Sequence, residues 1–430
     1  MIKIDKDFLL KDSKVFCMFP WIHLNATPKG DIYPCCSNDY TQPFGNTRET
    51  SLEEAFNSDK MKELRLNMLS EKSSSVCDFC YKHEQSGPYS FRHYSKEKFA
   101  HHFDDVIPQT EDDGYVRDFK MRYFDIRFSN ICNFKCRTCG DEFSSLWSAE
   151  SKQQRDQKQQ RDQDTQQVIK IISHDDLSII KKADAGPRSG KLLEEVLKHI
   201  DHMDIAYFVG GEPLIMQEHY IMLEEMIRRG RTDIVLRYNT NASNIKFKNY
   251  DLLDLWKHFK KVEVSCSIDH YGERAEWMRH GTDWGKIENN LHLFRSLDFV
   301  DFQINTVFSI FNYYTITEFY EYMISKNLIK PDDYYNSLYL ALNPQLYTAK
   351  SMPIAMKKEA ERKVQIFTEK YPAIAKHHNL AEAVNFANSD NYWPIVKSEF
   401  VSRTRHFDKI RNEDFHKVFP EFENIEDMVE

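Results

Sequence analysis

Three cysteines, Cys132, Cys136 and Cys139, stand four and three residues apart, directly after an apolar, β-prone run from Tyr123 to Phe128. Thiolates so spaced on one loop can converge on a single soft metal centre, and iron–sulfur clusters favour that chemistry. A cubane held by three cysteines keeps one iron with an open coordination position, where a metal centre can do chemistry rather than only hold a fold. A structural zinc site normally takes four ligands, so a zinc knuckle would need one from elsewhere. Buried free thiols are the remaining alternative.

A second set lies earlier, at Cys17, Cys35, Cys77 and Cys80. Pro28-Lys29-Gly30-Asp31 reads as a turn between two short strands, so a hairpin brings Cys17 and Cys35 together. The Cys77-x-x-Cys80 pair then closes the site. Four thiolates suffice for a complete cluster with no open iron, and equally for a four-cysteine zinc ribbon; spacing alone leaves both open. Cys36 could replace Cys35 as a ligand or be a packed thiol. Cys266 alternates with Ser265 and Ser267 and reads as a core thiol. Nine cysteines in all, an odd and clustered set, read as metal ligands rather than disulfides.

Other residues fall at the ends of expected strands. Ile205–Val209 runs into Gly210-Gly211-Glu212-Pro213, where two glycines permit close backbone approach and the Glu212 carboxylate can accept from a cation. Arg237–Ala242 carries Thr240 and Asn241 at its end. Val264–His270 carries Ser267 and Asp269, and Arg279 follows; arginine's planar fork suits a carboxylate. Asp269 could face a substrate or cap the next turn. Asn305, Thr306 and Asn343 are further strand-end candidates.

The elements that must position these groups follow from periodicity. Strands are expected near 121–128, 204–209, 233–239, 261–268, 301–308 and 336–342, and amphipathic helices near 141–152, 191–201, 217–229, 250–259, 284–297 and 313–326. Six β/α units imply a parallel sheet with its working residues on loops at the carboxyl ends of the strands. Residues 1–100 form a small cysteine-rich α+β domain with a helix over about 51–69. Residues 101–119, polar and acidic, read as a linker. Residues 120–345 form the α/β domain, interrupted by a polar insertion at 151–167 in which Gln-Gln-Arg-Asp-Gln occurs twice. Residues 182–191 read as an exposed loop. Residues 346–430 are a helical carboxyl-terminal extension, read as a packing cap.

Composition narrows the class. The 430 residues carry a net charge of −9 and no long basic stretch, which argues against a nucleic-acid partner. Aromatic residues make up 13%, which suits a packed globular chain. No run of 18 apolar residues exists, so no membrane span is expected. Met1–Asp7 lacks the apolar core of a signal peptide, so a cytoplasmic, reducing location is expected.

The three-cysteine loop with Gly-Gly-Glu-Pro on the next strand end resembles the radical S-adenosylmethionine (SAM) superfamily. Cys17 to Cys80, with Asp31–Cys36, Phe44-Gly45-Asn46 and Ser51–Ser58, is similar to the SPASM or twitch auxiliary-cluster motif, although that unit usually follows the catalytic domain. The resemblance implies a partial (β/α)6 barrel with a [4Fe–4S] cluster on Cys132, Cys136 and Cys139. An auxiliary [4Fe–4S] cluster would sit on Cys17, Cys35, Cys77 and Cys80. It places the SAM amino group at Gly210, Gly211 and Glu212, and its ribose or carboxylate at Ser267 and Arg279. The implied reaction is reductive cleavage of SAM to a 5′-deoxyadenosyl radical that takes hydrogen from the substrate. The auxiliary cluster would assist oxidation or substrate binding. Peptide modification is the favoured activity; a radical SAM dehydrogenase of a small alcohol or sugar-like substrate, and a non-catalytic iron–sulfur or zinc interaction protein, are the alternatives. A low-potential electron donor such as flavodoxin or ferredoxin is implied. Two departures stand out: Ala242 where the family often has glycine, and Thr138 where it often has an aromatic near adenine.

Overall fold

The computed structural model describes residues 4–85, 89–150, 180–331, 333 and 337–425. The Gln-Gln-Arg-Asp-Gln repeats and the rest of the 151–167 insertion lie outside the described residues. The chain divides into two units. The first comprises residues 1–131, 174–237 and 253–261; the second comprises 132–173, 238–252 and 262–430.

In the first unit the expected hairpin forms. His23–Ala26 runs antiparallel to Asp31–Tyr33, which pairs with Gly45–Asn46. Gly30, at φ +93°, makes the turn, and a Cβ there would lie 2.6 Å from the Asn46 side chain. The other edge of His23–Ala26 pairs in parallel with Tyr123–Ile126, which pairs in parallel with Ile205–Phe208. The cysteine-rich segment therefore adds its own strand to the parallel sheet, which periodicity did not reveal.

The helix expected over 51–69 is two helices, Leu52–Phe56 and Asp59–Leu69. Ser51 caps the first through a capping box with Glu54, and Ser58 starts the second by accepting from the Met61 amide. Buried Arg65 satisfies the freed Phe56 carbonyl at 2.7 Å and also donates to the carbonyls of Pro20 and Gly114. Residues 101–119 are not a linker. Phe103, Ile107, Val116 and Phe119 are buried, and Phe119 stacks on Phe56 at 3.9 Å between centroids. The acidic residues that suggest a linker are a solvated surface over this apolar stripe. Within the expected 182–191 loop, Ala183 is buried, while Gly186–Arg188 is a turn of 3-10 helix.

In the second unit Val262–Ser267, Val300–Phe308 and Ser337–Leu340 pair in parallel. With Tyr123–Ile126, Ile205–Phe208 and Val235–Thr240, all six strands expected for the partial (β/α)6 barrel form, so the α/β class holds. Helices Lys191–Lys198, Gln217–Arg228, Leu252–Trp256, Trp284–Arg295 and Ile316–Ser325 alternate with them. Within the helix expected at 141–152, residues 141–144 are turn and coil and 148–150 are helical, while 151 and 152 lie outside the described residues. The chain forms a 3-10 turn at Ser145–Trp147, because the Ser144 hydroxyl donates to the Phe134 carbonyl and the Trp147 indole to the Cys136 carbonyl. These tertiary bonds override helix propensity. The carboxyl-terminal region is helical as expected, chiefly Ile354–Lys370 and Trp393–Arg411.

Candidate functional site

Cys17 precedes the short helix Phe19–Ile22, Cys35 follows the hairpin, and Cys77 and Cys80 flank the start of the helix Asp78–Gln85. No disulfide links any of the nine cysteines. Burial pushes the Cys17 thiol up to about 11, and it raises Cys35, Cys77 and Cys80 as well. Mutual repulsion adds to this: Cys35 feels Cys77 and Cys17, Cys77 feels Cys17 and Cys80, and Cys17 feels Cys80. Cys17 and Cys80 are buried and Cys35 and Cys77 partly so, and thiols near enough to repel one another are costly as bare thiolates. A cationic metal centre that neutralises them fits the donor set. Cys36 faces elsewhere. Its thiol lies beside Asp125 and Arg127, and burial pushes it up to about 12.

The Gly-Gly-Glu motif is pressed onto the main chain that leads into Cys132. A Cβ on Gly211 would lie 2.0 Å from the Ile131 carbonyl oxygen, so only glycine fits. Gly210 holds φ +126° beside Arg127 and Ser129. The Glu212 amide donates to the Ile131 carbonyl at 2.7 Å, and its buried carboxylate accepts from the Leu214 amide at 3.1 Å.

The cysteine loop itself belongs to the second unit. Lys135–Cys136 pairs antiparallel with Arg279–His280, which sets Arg279 opposite Cys136. The Arg279 guanidinium is 3.8 Å from the Cys136 sulfur and pairs with Asp269 at 2.8 Å. Asp269 uses its other oxygen to accept from the Val307 amide at 2.8 Å, so it anchors the arginine and does not cap the next turn. Burial raises the Cys136 thiol while Arg279 pulls it back; Cys139 is pushed up to about 12. A thiol pair beside a buried cation is suited to holding negative charge. Cys132 and Thr138 are half-buried on the same loop.

Asn133, next to Cys132, is latched from the turn after Val235–Thr240. Its carbonyl oxygen accepts from the Asn241 amide at 2.9 Å, and its amide donates to Ser243 at 2.9 Å. Ala242, in the same turn, adopts φ +58°, the left-handed region that favours glycine. Ser267 ends its strand half-buried, in register with Asn305. The Thr306 hydroxyl donates to the Ile268 carbonyl and is structural; Asn343 is exposed. Cys266 is fully buried, in keeping with a core thiol.

The residues that sequence reasoning missed come from the carboxyl-terminal region. Arg137, between two loop cysteines, is buried, stacks 3.8 Å from the Trp277 ring centroid, and pairs with Asp408 and Glu413. Arg411 pairs with Glu150 at 2.7 Å and donates to the Lys135 carbonyl at 3.1 Å. The only signal in the sequence is a charged residue inside a loop that must be dry.

Comparison with known proteins adds the following. No curated protein matches the sequence. Among solved structures, the chain is similar to native anSMEcpe with bound AdoMet, at 17% identity and a TM-score of 0.35, over 61% of this chain and 60% of that one. It is also similar to Streptococcus suis SuiB bound to S-adenosylmethionine, at 12% identity and a TM-score of 0.35, over 73% of this chain and 63% of that one. The chain thus spans less than two thirds of the length of either. Residues 17–81 match SPASM, an iron–sulfur cluster-binding domain.

Proposed function

We propose that the chain is a radical SAM enzyme in which Cys132, Cys136 and Cys139 hold a catalytic [4Fe–4S] cluster and Cys17, Cys35, Cys77 and Cys80 an auxiliary one. The observation that carries this reading is Arg279 beside the Cys136 sulfur, within a loop of three thiols. The SPASM match over residues 17–81 supports the auxiliary cluster. In this reading residues 1–100 are the auxiliary domain, 120–345 the catalytic domain and 346–430 a helical extension.

When bound, the cluster and SAM would supply one-electron cleavage of a sulfur–carbon bond and hydrogen abstraction from substrate. The chain's own residues position and shield. Gly210 and Gly211 would give SAM access to bare main chain, Glu212 would accept from its ammonium, and Ser267 would donate to its ribose or carboxylate. Arg279, fixed by Asp269, holds negative charge at Cys136 and would offer its remaining N–H groups to the SAM carboxylate. The favoured substrate is a peptide, the class that auxiliary-cluster relatives often modify, and the electrons would come from a low-potential donor such as flavodoxin or ferredoxin.

Anaerobically reconstituted protein should hold about eight irons per chain and release 5′-deoxyadenosine from SAM after reduction. Zinc in place of iron at the first site, with about four irons in total, would remove the auxiliary cluster from the reading. A fully loaded, reduced protein that leaves SAM intact would overturn the enzyme.

A further inference from the structure

His23–Ala26 and Tyr123–Ile126 are parallel and pair His23 with Tyr123 and Asn25 with Asp125. Side chains alternate along a strand, so these four share one face, and Phe124 and Ile126 take the other. The shared face is polar and closed: His23, Asn25 and Asp125 are each 0% exposed. Native proteins pair more than about 90% of such groups, because each one left unpaired is destabilising.

Here the pairing is incomplete in a patterned way. Neither carboxylate oxygen of Asp125 meets a donor in good hydrogen-bond geometry, although Asn25, Arg127 and Cys36 stand close enough to pull its carboxyl down, and Oδ1 of Asn25, Nε2 of His23 and Nε of Arg127 also lack such a partner. The remaining polar atoms of the Asn25 and His23 side chains are committed to backbone. The Asn25 amide donates to the Asp125 carbonyl at 3.2 Å, and His23 Nδ1 meets the Tyr123 carbonyl at 2.7 Å. A carbonyl only accepts, so Nδ1 carries the proton. Burial holds the imidazole neutral by pulling it down to about 4, which leaves Nε2 as an acceptor. The Arg127 guanidinium stands 3.6 Å from Asp125, at ion-pair distance without a hydrogen bond. Cys36 and half-exposed Tyr40 border the pair. Burial pushes the Asp125 carboxyl up to about 6, so at neutral pH it is mainly a carboxylate, which only accepts.

The unpartnered set is therefore four acceptor atoms and one donor. A group that completes it must bring N–H or O–H donors. We infer that Asn25, Asp125 and His23 form a recognition subsite for a donor-bearing end of the substrate, a primary ammonium or a hydroxyl, with Arg127 able to donate back to a hydroxyl. Naming that ligand the substrate rests on the radical SAM reading; the subsite itself does not.

The test uses the full chain with its clusters loaded and three amino-acid amide probes: N-acetyl-lysine methylamide, N-acetyl-6-hydroxynorleucine methylamide and the N-acetyl-norleucine methylamide that lacks a side-chain donor. Binding is read by saturation-transfer NMR titration for wild type, Asp125→Asn, Asp125→Ala and Asn25→Ala. At least one donor probe should bind more tightly than the norleucine probe. An ammonium ligand should lose at least about tenfold affinity already in Asp125→Asn, the worth of one charge-assisted hydrogen bond. A hydroxyl ligand should tolerate Asp125→Asn and lose comparable affinity in Asp125→Ala. Far-ultraviolet circular dichroism and iron content at the wild-type level check that each variant has folded. The inference is overturned if the norleucine probe binds as well as the others, if no donor probe binds, or if the variants bind as wild type does. If SAM cleavage is absent from wild type but the binding pattern holds, the enzyme reading falls and the subsite stands.

Discussion

The guanidinium of Arg137 lies 2.9 Å from the Asp408 carboxylate, joining the cysteine loop to a helix that begins at Trp393. Both groups are shielded, and Asp408 also accepts from the Trp277 indole at 2.9 Å. The carboxyl-terminal helix thus braces the loop between its second and third cysteines.

That brace gives the first prediction. Removing Asp408 leaves Arg137 with Glu413 as its partner and strips one charge-assisted hydrogen bond, a loss of about 1–3 kcal/mol. Asp408→Ala should lower the urea midpoint of the reconstituted protein and reduce iron at the three-cysteine site before the auxiliary site. Mössbauer or site-resolved EPR spectra would separate the two. Equal iron loss at both sites, or none, would show that the helix does not brace the loop.

Gly211 has no room for a side chain, since its Cβ would sit 2.0 Å from the Ile131 carbonyl oxygen. Gly211→Ala must displace main chain on the path to Cys132. Loss of SAM binding by about tenfold or more is expected, a displacement that costs more than 1.4 kcal/mol. Equilibrium dialysis against SAM measures it, and an unchanged affinity would remove this motif from the cofactor site.

Cys35 and Cys36 are neighbours with different surroundings. Cys35 faces the other amino-terminal thiols, while Cys36 faces Asp125 and Arg127. Cys35→Ala should lose auxiliary-cluster iron, and Cys36→Ala should keep it. The reverse result in iron and sulfide analysis would exchange their roles.

Among the described histidines that burial lowers, five are pulled far down and held neutral: His23, His199 and His378 to about 4, and His219 and His270 to about 3. Below pH 6.5 the unfolded chain takes up protons there that the folded chain does not. Stability should therefore fall with pH, by up to about 1.4 kcal/mol per pH unit for each histidine. Asp125, raised to about 6, opposes this with a contribution present at low pH and lost as pH rises through 6. One group against five leaves an acid-sensitive fold. His219→Gln should flatten the slope of unfolding free energy between pH 6.5 and 5 by about one proton's worth. A slope identical to wild type would show that His219 protonates in the folded state.

Much of this protein is legible in its residue order. Cysteine spacing is a local property, and so is the alternation that places six strands. The hairpin turn is likewise written in Pro28–Asp31. What requires the fold is every relationship between distant segments. Nothing near Arg137 indicates Asp408. The acidic stretch at 101–119 looks like a linker because its buried stripe, Phe103, Ile107, Val116 and Phe119, is short and irregular. Asp125 sits in an apolar run, and only the strand pairing of Asn25 with Asp125 reveals a polar face. Sequence alone determined which side chains could bind metal, because donor type and spacing are covalent facts. Tertiary structure decided which of them gather and which ion pairs hold them, because burial and hydrogen bonding depend on what the rest of the chain brings alongside.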